Sequence, residues 1–538
     1  MSKAIKKCRT CHRRRLKCDG TIPACQKCIS NGLECPGYGR QLRWMVGVAS
    51  KGLMKDTAYV SCPTTTPTHP SKKRHNLVVV EYEPSLKFQA SAGASSSTSS
   101  CSSRSPLSIT ASPPTQLTDP IFQDMGYNTR YLLDYFDRKV CSVLTFTEEA
   151  WTPYRELMAL VGSSKGVAHA MTAVAALHAI HGSIGSPIML AHALQENHIQ
   201  INDIRLNPFQ SQLLHHCIHH KQKALEFLST ALQDPDQKNK LQTFGIAIVL
   251  ALLECFETGA GSWAIHLEGA KKLLEAGIQN SPALEGLVDE LMLFEIFGST
   301  FVPPGVVSTS VTTRTLSTTE SDTRLVFGNS FVCPVAILQS ITLATAMSRT
   351  ARQAMSDLSA TFEGILAIGE LKSVLVKIQQ FSCLEWVEEV KPTAKYLETV
   401  SNHLVVQMCL IWKLSAEIYI SRLLYSLTRD TQYLSPITDD LITAFVPIKS
   451  TVYLKSLTWP VVVAGLSSTT HSHRAWTLST LDEIWRLTLV ASAKGAREVL
   501  LTLWAMRDSR INNEGDGYRE DWDWLCDIAA LKNHWLLF

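Results

Sequence analysis

The chain has 538 residues, with 51 lysines and arginines against 48 aspartates and glutamates, and a formal net charge of only +3. Single hydrophobic cores stop growing near ~250–300 residues, so we expect a large body with appendages. The N-terminus lacks the apolar run of a secretory signal, and the longest apolar stretch, nine residues at 245–253, is far below the ~20 that span a bilayer. These features argue against export and membrane insertion and predict a soluble, intracellular protein.

The positive charge is concentrated at the start of the chain. Residues 1–40 hold ten of the 51 basic residues and only two of the 48 acidic ones. A basic block beside a nearly neutral body is typical of a protein that binds a polyanion, either nucleic acid or an anionic membrane surface. Composition alone leaves both partners open.

Six of the fifteen cysteines lie within 28 residues, with the spacing C-x2-C-x6-C-x6-C-x2-C-x6-C. In each half, a C-x2-C pair directs two thiolates at one metal, and the third cysteine closes the far side. Three thiolates are one short of a tetrahedron, but if Cys8 and Cys25 each bridge two metals, both ions reach four sulfurs. The pattern predicts a cluster of two Zn²⁺ ions with six ligands: Cys8, Cys11, Cys18, Cys25, Cys28 and Cys35.

The alternative, three disulfides, needs an oxidising compartment that the N-terminus does not support. Zinc also has an energetic role here, because about forty residues with few large apolar side chains cannot build a sufficient core. Structural zinc contributes roughly 10–16 kcal/mol in comparable peptides. We therefore predict that this segment is unfolded without metal.

The stretch CRTCHRRRLKCDGTIPACQKCISNGLEC at 8–35 resembles the fungal zinc binuclear cluster (Zn2Cys6) DNA-binding domain. Besides the six cysteines, the basic run HRRRLK, the acidic Asp19 and the proline at Pro23 stand where that family has them. The resemblance implies a DNA-binding domain over residues 1–40 that holds two Zn²⁺ ions. It also implies a nuclear protein of fungal origin.

The run HRRRLK follows the first cysteine pair, so we expect the metal to fix it as a short helix of a size that fits the major groove. The resemblance implies that the central pair, Arg14 and Arg15, reads a CGG-like triplet. Arginine forks match guanine O6 and N7, so the chemistry also favours a G-rich triplet. His12, Arg13 and Lys17 are then expected to hold phosphates and set the register.

Residues 41–120 have the composition of a flexible linker. Within 91–118, 18 of 28 residues are Ser, Thr or Pro, and such a segment cannot bury enough surface to offset its ordering entropy. The run SKKRH at 71–75 fits either a nuclear import signal or a solvated linker. No sustained heptad repeat follows the cysteines, so a homodimer stays open.

From residue 121 to the end, apolar residues recur at helical spacing, and no run of alternating strands is visible. The fold class is therefore mostly α, with a large all-helical domain over 121–538. The Ser/Thr-rich segment 302–323 is predicted to be a disordered loop that divides this body into two helical portions. Helices are predicted over 131–140, 166–180, 241–257, 262–277 and 405–426.

Three stretches of the body resemble the all-helical fungal-specific transcription factor domain, in its arginine-metabolism-regulator-like subtype. They are YLLDYFDRKVCSVL, AVAALHAIHG, and the stretch from AIVLALLECFETG through SWAIHLEGAKKLL. The resemblance implies a regulatory domain that holds activation in check or senses a signal. Relatives of this kind often control nitrogen, carbon or secondary-metabolite pathways.

Several other residues were weighed as sites. HHCIHH at 215–220 places histidines at metal-capable i, i+4 spacing, but a polar helix surface or loop is the simpler interpretation. His169, His178 and His181 lie in an apolar helix and are predicted to be satisfied core histidines. The remaining cysteines show no C-x2-C spacing and are expected to be buried small hydrophobes or incidental thiols: Cys62, Cys101, Cys141, Cys217, Cys255, Cys333, Cys383, Cys409 and Cys526.

No P-loop or H-E-x-x-H motif is present, so neither of these motifs supports an enzyme. The end of the chain, 515–538, mixes acids with Trp522, Trp524 and Leu525. Such a mixture fits an activation segment, but a terminal amphipathic helix docked on the body explains it as well and is preferred.

The sequence as a whole predicts a zinc-dependent transcription factor for RNA polymerase II genes. Its expected partners are double-stranded DNA and the transcription machinery, with no membrane. One rival is an adaptor in which the zinc cluster is structural and the helical body binds proteins. Another is a metal-handling protein, although zinc-sharing thiolates inside a basic module suit structure better than storage.

Overall fold

The computed structural model of the chain describes residues 11, 17–19, 21, 25–31, 35, 125–147, 152–183, 207–233, 240–279, 281–303, 305–308, 332–356, 361–392, 394, 397–433, 437–514, 522–531 and 534–537. The chain forms two compact units, Met1–Ile109 and Thr110–Phe538. The described residues of the first unit all lie between 11 and 35. The linker predicted over 41–120 lies outside the described residues, and the proposed domain limits stay predictions.

The described residues of the first unit include the short helix α1 (Gln26–Ile29). The second unit begins with α2 (Tyr127–Tyr135), which runs through a π-helical turn (Phe136–Val140) into α3 (Cys141–Leu144). The helices that follow before the segment around residue 310 are α4 (Pro153–Met158), α5 (Lys165–Ser183), α6 (Pro208–Gln233), α7 (Lys240–Glu257), α8 (Trp263–Glu275) and α9 (Pro282–Thr300).

The second half of this unit is helical as well. Its short 3₁₀ helices are Thr431–Tyr433 and Val452–Ser456. The α-helices are α10 (Val335–Ser356), α11 (Thr361–Gln380), α12 (Cys383–Val390), α13 (Asn402–Thr428), α14 (Thr438–Ala444), α15 (Thr458–Leu466), α16 (His471–Thr488), α17 (Ser492–Glu514) and α18 (Trp524–Ala529). Among the described residues there is no strand, so the all-helical fold class is confirmed.

The helices predicted from sequence periodicity are all present. The stretch at 131–140 departs from a regular α-helix, because its second half forms the π-helical turn. Phe136 and Val140 are nevertheless buried, as their spacing predicts. Helices α5 and α7 are apolar on nearly every face, and from Thr243 to Glu257 every residue of α7 is buried. A helix that is apolar all round belongs in the centre of a core.

The segment at 302–323 lies between helices that share one core. Helices from both sides of it contribute to one continuous apolar cluster, and the division of the body into two helical portions stays a prediction. The beginning of the segment is itself packed: Val307 is buried, and the Ser308 backbone nitrogen donates to Glu268 Oε1 at 3.0 Å. Residues 309–331 lie outside the described residues, so their predicted disorder stays a prediction.

Helix α13 is long and apolar enough to cross a membrane by length and composition. Its sequence contains no long uninterrupted apolar run, because polar residues are spread along it. Of its most apolar 18-residue window, 61% is buried inside the helical unit. Helix α13 also packs against α10 and α11. Such burial and packing are typical of a core helix in a globular domain.

His178 and His181 donate hydrogen bonds to backbone carbonyls at the C-terminal end of α16. The His178 Nε2 donates to the Thr488 carbonyl at 3.0 Å, and the His181 Nδ1 donates to the Leu489 carbonyl at 2.9 Å. Leu489, the C-cap residue, has a left-handed backbone with φ of 53°. These bonds satisfy carbonyls that a helix end leaves without an intrahelical donor. Their predicted role as satisfied core histidines is confirmed.

The C-terminal segment is docked on the helical unit. Trp522, Trp524 and Ile528 are buried, and the Trp522 Nε1 donates to Asp527 Oδ2 at 2.9 Å. Farther along, the Leu536 backbone nitrogen donates to the Gly259 carbonyl at 2.6 Å. The preferred interpretation, a terminal segment packed on the body, is confirmed for the described residues.

Candidate metal and nucleic-acid binding module

Among the described residues of the first unit, the buried centre is made of cysteine side chains. Cys25 is the N-cap of α1, and its Sγ accepts from the Cys28 backbone nitrogen at 3.4 Å. Cys11, Cys25 and Cys28 are at most 1% exposed and form the whole buried core of this unit's described residues. A fold whose buried centre contains only thiols buries too little apolar surface to be stabilised by the hydrophobic effect alone.

The spacing of these sulfurs suits a shared metal ion. Cys11 Sγ lies 3.7 Å from Cys25 Sγ and 3.9 Å from Cys28 Sγ. A tetrahedron of thiolates with Zn–S bonds of ~2.3 Å has edges of about 3.8 Å. A disulfide needs sulfurs only ~2.05 Å apart. The donor set therefore fits zinc and does not fit a disulfide.

Cys25 belongs to two groups of potential ligands. One is the trio of Cys11, Cys25 and Cys28, and the other joins Cys25 to Cys18 and Asp19, with ligand atoms within 4.8 Å of one another in each. The Cys25 backbone nitrogen also lies 3.4 Å from Cys35 Sγ. Cys25 is therefore a member of both ligand groups. A thiolate that bridges two metal ions needs such a position.

The loop before α1 is held by the side chain of Asp19. Its Oδ2 accepts from the Gln26 backbone nitrogen at 3.0 Å, and its Oδ1 accepts from the Lys27 nitrogen at 3.3 Å. The Thr21 hydroxyl also donates to Asp19, and these bonds hold the pKa of the carboxyl well below its ordinary value. Backbone nitrogens at the start of a helix lack intrahelical acceptors, so a carboxylate is favoured there.

Thr21 was not singled out in the sequence. The available signal was an Asp-x-Thr turn a few residues before a short helix, a pattern too common to identify alone.

The structure describes five of the six predicted zinc ligands, and Cys8 lies outside the described residues. Of the predicted DNA contacts it describes Lys17, which is exposed. His12, Arg13, Arg14 and Arg15 lie outside the described residues, so their roles stay predictions.

The histidine run of the second unit lies on α6. His215 and His219 are exposed, with ring centroids 6.4 Å apart, as expected for a helix surface. His220 is buried, and its Nδ1 lies 2.7 Å from Nδ1 of His169. Burial is the largest cause that lowers the pKa of both imidazoles, that of His220 to about 3. This pair favours neutral rings that share a hydrogen bond.

The other described cysteines have no metal-ligand grouping among the described residues. Five are buried, Cys383 is half-buried and Cys526 is exposed, all as free thiols. Burial raises the pKa of Cys141 to about 12. The prediction of small buried hydrophobes and incidental thiols is confirmed for these residues, while Cys62 and Cys101 lie outside the described residues. The buried five are Cys141, Cys217, Cys255, Cys333 and Cys409.

Comparison with known families agrees with this geometry. Residues 6–45 match the fungal Zn(2)-Cys(6) binuclear cluster domain, which binds two zinc ions. Residues 131–538 match the fungal specific transcription factor domain. The second match covers well over half of the chain, so the chain belongs to the fungal-specific transcription factor domain family. It is a transcription factor of the Zn2Cys6 type.

Two curated fungal proteins are similar in sequence. The chain is 25% identical to the acriflavine sensitivity control protein acr-2 of Neurospora crassa, over 99% of this chain and 97% of that protein. It is 33% identical over 92 residues to the arginine metabolism regulation protein II of Saccharomyces cerevisiae, which covers 15% of this chain and 10% of that protein. No solved structure matches the chain.

Proposed function

We propose that this protein regulates RNA polymerase II genes by reading a CGG-like triplet in the major groove through a module held by two Zn²⁺ ions. The observation that carries the proposal is the sulfur core, with Cys11 Sγ at 3.7 and 3.9 Å from Cys25 and Cys28. A core of this kind gives a short basic segment a fixed shape, and such a shape is what groove recognition needs.

The six proposed zinc ligands are Cys8, Cys11, Cys18, Cys25, Cys28 and Cys35. The position of Cys25 in two ligand groups supports its role as a bridge, and the repeat of the spacing assigns the second bridge to Cys8. Bound zinc keeps these sulfurs as thiolates and fixes the chain around them. Cys25 also caps α1, so it orients the second half of the module.

The proposed base contacts are Arg14 and Arg15, which stand between the metal-ligating Cys11 and Cys18. Two guanidinium forks at this place match guanine O6 and N7. His12, Arg13 and Lys17 are the proposed phosphate contacts, and the exposed position of Lys17 supports this role.

The proposed setting is the nucleus, with double-stranded DNA and the transcription machinery as partners, and no membrane. A homodimer is compatible with this function, because paired modules read paired triplets. The relatives' names concern arginine metabolism in one protein and acriflavine sensitivity in the other. We accordingly place the target genes in a metabolic or secondary-metabolite pathway.

The test is selection from a randomised duplex library with the purified, zinc-loaded full chain at moderate salt, with and without a chelator. Zinc-dependent enrichment of a CGG-like triplet is the expected result, and the spacing of enriched triplets distinguishes a monomer from a dimer. The matched control is the double variant Arg14→Ala and Arg15→Ala, which retains the cysteines.

Salt-sensitive binding without any enriched sequence would leave phosphate attraction alone. That outcome would sink the proposal and favour the adaptor, in which the zinc module is structural and the helical body binds other proteins.

A further inference from the structure

Histidines from two neighbouring helices lie together in the helical unit. Four of them lie on α6: His215, His216, His219 and His220. The fifth, His169, lies on α5, which packs against α6. The Nδ1 atoms of His169 and His220 are 2.7 Å apart, so the two helices meet through their imidazoles. The spacing of the run indicates i, i+4 pairs on one helix, and the fold adds a histidine from a second helix.

Three of these rings form a triangle that suits a metal ion. The ring centroid of His220 lies 4.8 Å from that of His169 and 5.3 Å from that of His219. The third side, between His169 and His219, measures 6.4 Å. Three imidazoles on one tetrahedral Zn²⁺ ion, with Zn–N bonds of ~2.0–2.1 Å, have ring centroids about 5 Å apart. The observed triangle is wider than this on one side only.

The ring on the wide side is the one that can turn. No three of the described histidines have ligand nitrogens within 4.8 Å of one another, so His219 has to change rotamer to join the other two. His219 is exposed, and exposed side chains change rotamer within picoseconds to nanoseconds. His220 is only 6% exposed and His169 is half-buried, so their facing Nδ1 atoms supply a fixed pair.

The protonation of the fixed pair is compatible with a metal ion. Burial is the largest cause that lowers the pKa of His169 and of His220, so both imidazoles are neutral at neutral pH. In the hydrogen-bonded pair one Nδ1 carries a proton and the other accepts it. When a metal ion binds, the donor ring carries its proton on Nε2 instead, and both Nδ1 atoms offer a lone pair. No net proton has to be released.

The surroundings of the pair hold its orientation and add little positive charge. The ring of His169 is stacked on Phe227, with centroids 5.7 Å apart and planes 19° apart. Lys165 and Lys223 lie near enough to lower the pKa of His169 further, after burial and His219. The Lys223 ammonium is paired with Glu226 at 2.5 Å. Lys165 is exposed, and salt screens the charge of an exposed side chain.

We propose that His169, His219 and His220 bind one divalent transition metal ion of the zinc class, separate from the ions of the cysteine module. Imidazole is a preferred ligand of Zn²⁺, Cu²⁺ and Ni²⁺, and three histidines leave a fourth position for water. The bound ion joins α5 to α6. This site lies in the helical unit and does not depend on the proposed reading of DNA.

The test is calorimetric titration of the full chain with Zn²⁺ alone, in the absence of DNA, after the cysteine module has been loaded and excess metal removed. Zinc content measured by mass spectrometry before the titration reports the cysteine module, so the two kinds of site are distinguished. One further Zn²⁺ ion is expected to bind. A chain that takes up no further ion overturns the proposal.

The variant His219→Asn removes the exposed ligand and should still fold. It is expected to weaken binding of the further ion at least ~10-fold, since even the loss of a residue that only orients a ligand costs about 10–100-fold in metal affinity. His403→Asn, at an exposed residue of α13, is the matched control and should bind the ion like the unaltered chain. Equal binding by the two variants would contradict the assignment of His219.

The variant His169→Asn separates the proposed site from a simple surface pair on α6. His215 and His219 are both exposed and stand at i, i+4 spacing, so they could chelate an ion without α5. His169→Asn should weaken binding as much as His219→Asn, and unchanged binding overturns the proposal. Should His169→Asn fail to fold, as judged by far-ultraviolet circular dichroism, His215→Asn takes its place. It should leave binding unchanged, and a loss equal to that of His219→Asn would assign the ion to the exposed pair and overturn the proposal.

Discussion

The two units of the chain have cores of opposite chemistry. The described core of the first unit consists of Cys11, Cys25 and Cys28. The second unit is held by one continuous apolar cluster that includes Trp263, Trp412 and Trp459. A short segment cannot bury enough apolar surface to offset its loss of conformational entropy on folding. Metal–thiolate bonds must therefore supply the missing stabilisation. A chain of several hundred residues needs no such substitute.

The comparison also explains why cysteine has different roles in the two units. A zinc ligand must be a thiolate, and the first unit brings its sulfurs together for a shared ion. In the second unit burial raises the pKa of thiols such as Cys141, which keeps them protonated. The same residue type is therefore a metal ligand in one unit and a small apolar side chain in the other.

The largest effect is expected from Cys25→Ser, because it removes the thiolate proposed to bridge both metals. The loss should approach the roughly 10–16 kcal/mol of a structural zinc site, so the module loses zinc and DNA binding together. Zinc content by mass spectrometry and binding to a labelled duplex measure it. Cys526→Ser, at an exposed thiol, is the control and should retain both. Full zinc content in Cys25→Ser would contradict the claim that metal–thiolate bonds stabilise the first unit.

The next effect concerns the core of the helical unit. Trp459 is 1% exposed, and Trp459→Ala should lower the free energy of unfolding of this unit by about 3–5 kcal/mol, because it leaves a cavity. Zinc content should not change. Urea unfolding followed by tryptophan fluorescence measures the loss, since eleven of the twelve tryptophans lie beyond residue 150.

The control for Trp459→Ala is Phe362→Ala, at a side chain that is 76% exposed, which should change stability by less than about 0.5 kcal/mol. Similar losses in the two variants would contradict the assignment of the core.

Acid should weaken the helical unit through His178 and His181. Burial is the largest cause that lowers the pKa of each to about 4. Because the folded pKa is below the unfolded value of ~6.5, the stabilisation is complete above pH 6.5 and is lost as pH falls towards 4. The full loss is about 3 kcal/mol for each histidine. Urea unfolding between pH 7.5 and 5 measures the first part of this loss, about 2 kcal/mol for each histidine.

The matched variants separate this cause from general acid effects. His181→Gln should reduce the pH dependence, whereas His403→Gln, at an exposed residue of α13, should leave it unchanged. An unfolding free energy that stays constant between pH 7.5 and 5 would count against the buried neutral pair.

The smallest effects are expected at the DNA contacts. Arg14→Ala should cost about 1–3 kcal/mol and relax the triplet preference, because it removes a guanine fork. Lys17→Ala should weaken binding to all sequences alike and reduce the salt slope by about one unit. Binding isotherms on the selected duplex and on a scrambled one, at several salt concentrations, measure both. Equal behaviour of the two variants would remove the distinction between base and phosphate contacts.

Much of this architecture was predictable from the sequence. Periodicity located the long helices, because α5 and α7 carry apolar residues over many turns. The cysteine spacing identified the metal module, because few kinds of site other than a metal cluster place two C-x2-C pairs in so short a stretch. Both signals are local, so a single sequence contains them.

What the sequence missed depends on contacts between distant residues. The π-helical turn after Tyr135 leaves no trace in periodicity. The shared core across the segment at 302–323 was likewise hidden, because composition shows where a loop begins but not what its flanking helices pack against.

The most direct test of the account is a chelator titration of the full chain with two readouts on each sample. Anisotropy of a labelled duplex reports DNA binding, and urea unfolding by tryptophan fluorescence reports the helical unit. We expect DNA binding to be lost as zinc is released, while the unfolding midpoint of the helical unit stays constant. DNA binding that survives complete zinc removal, or a helical unit that unfolds together with the metal site, would contradict the account.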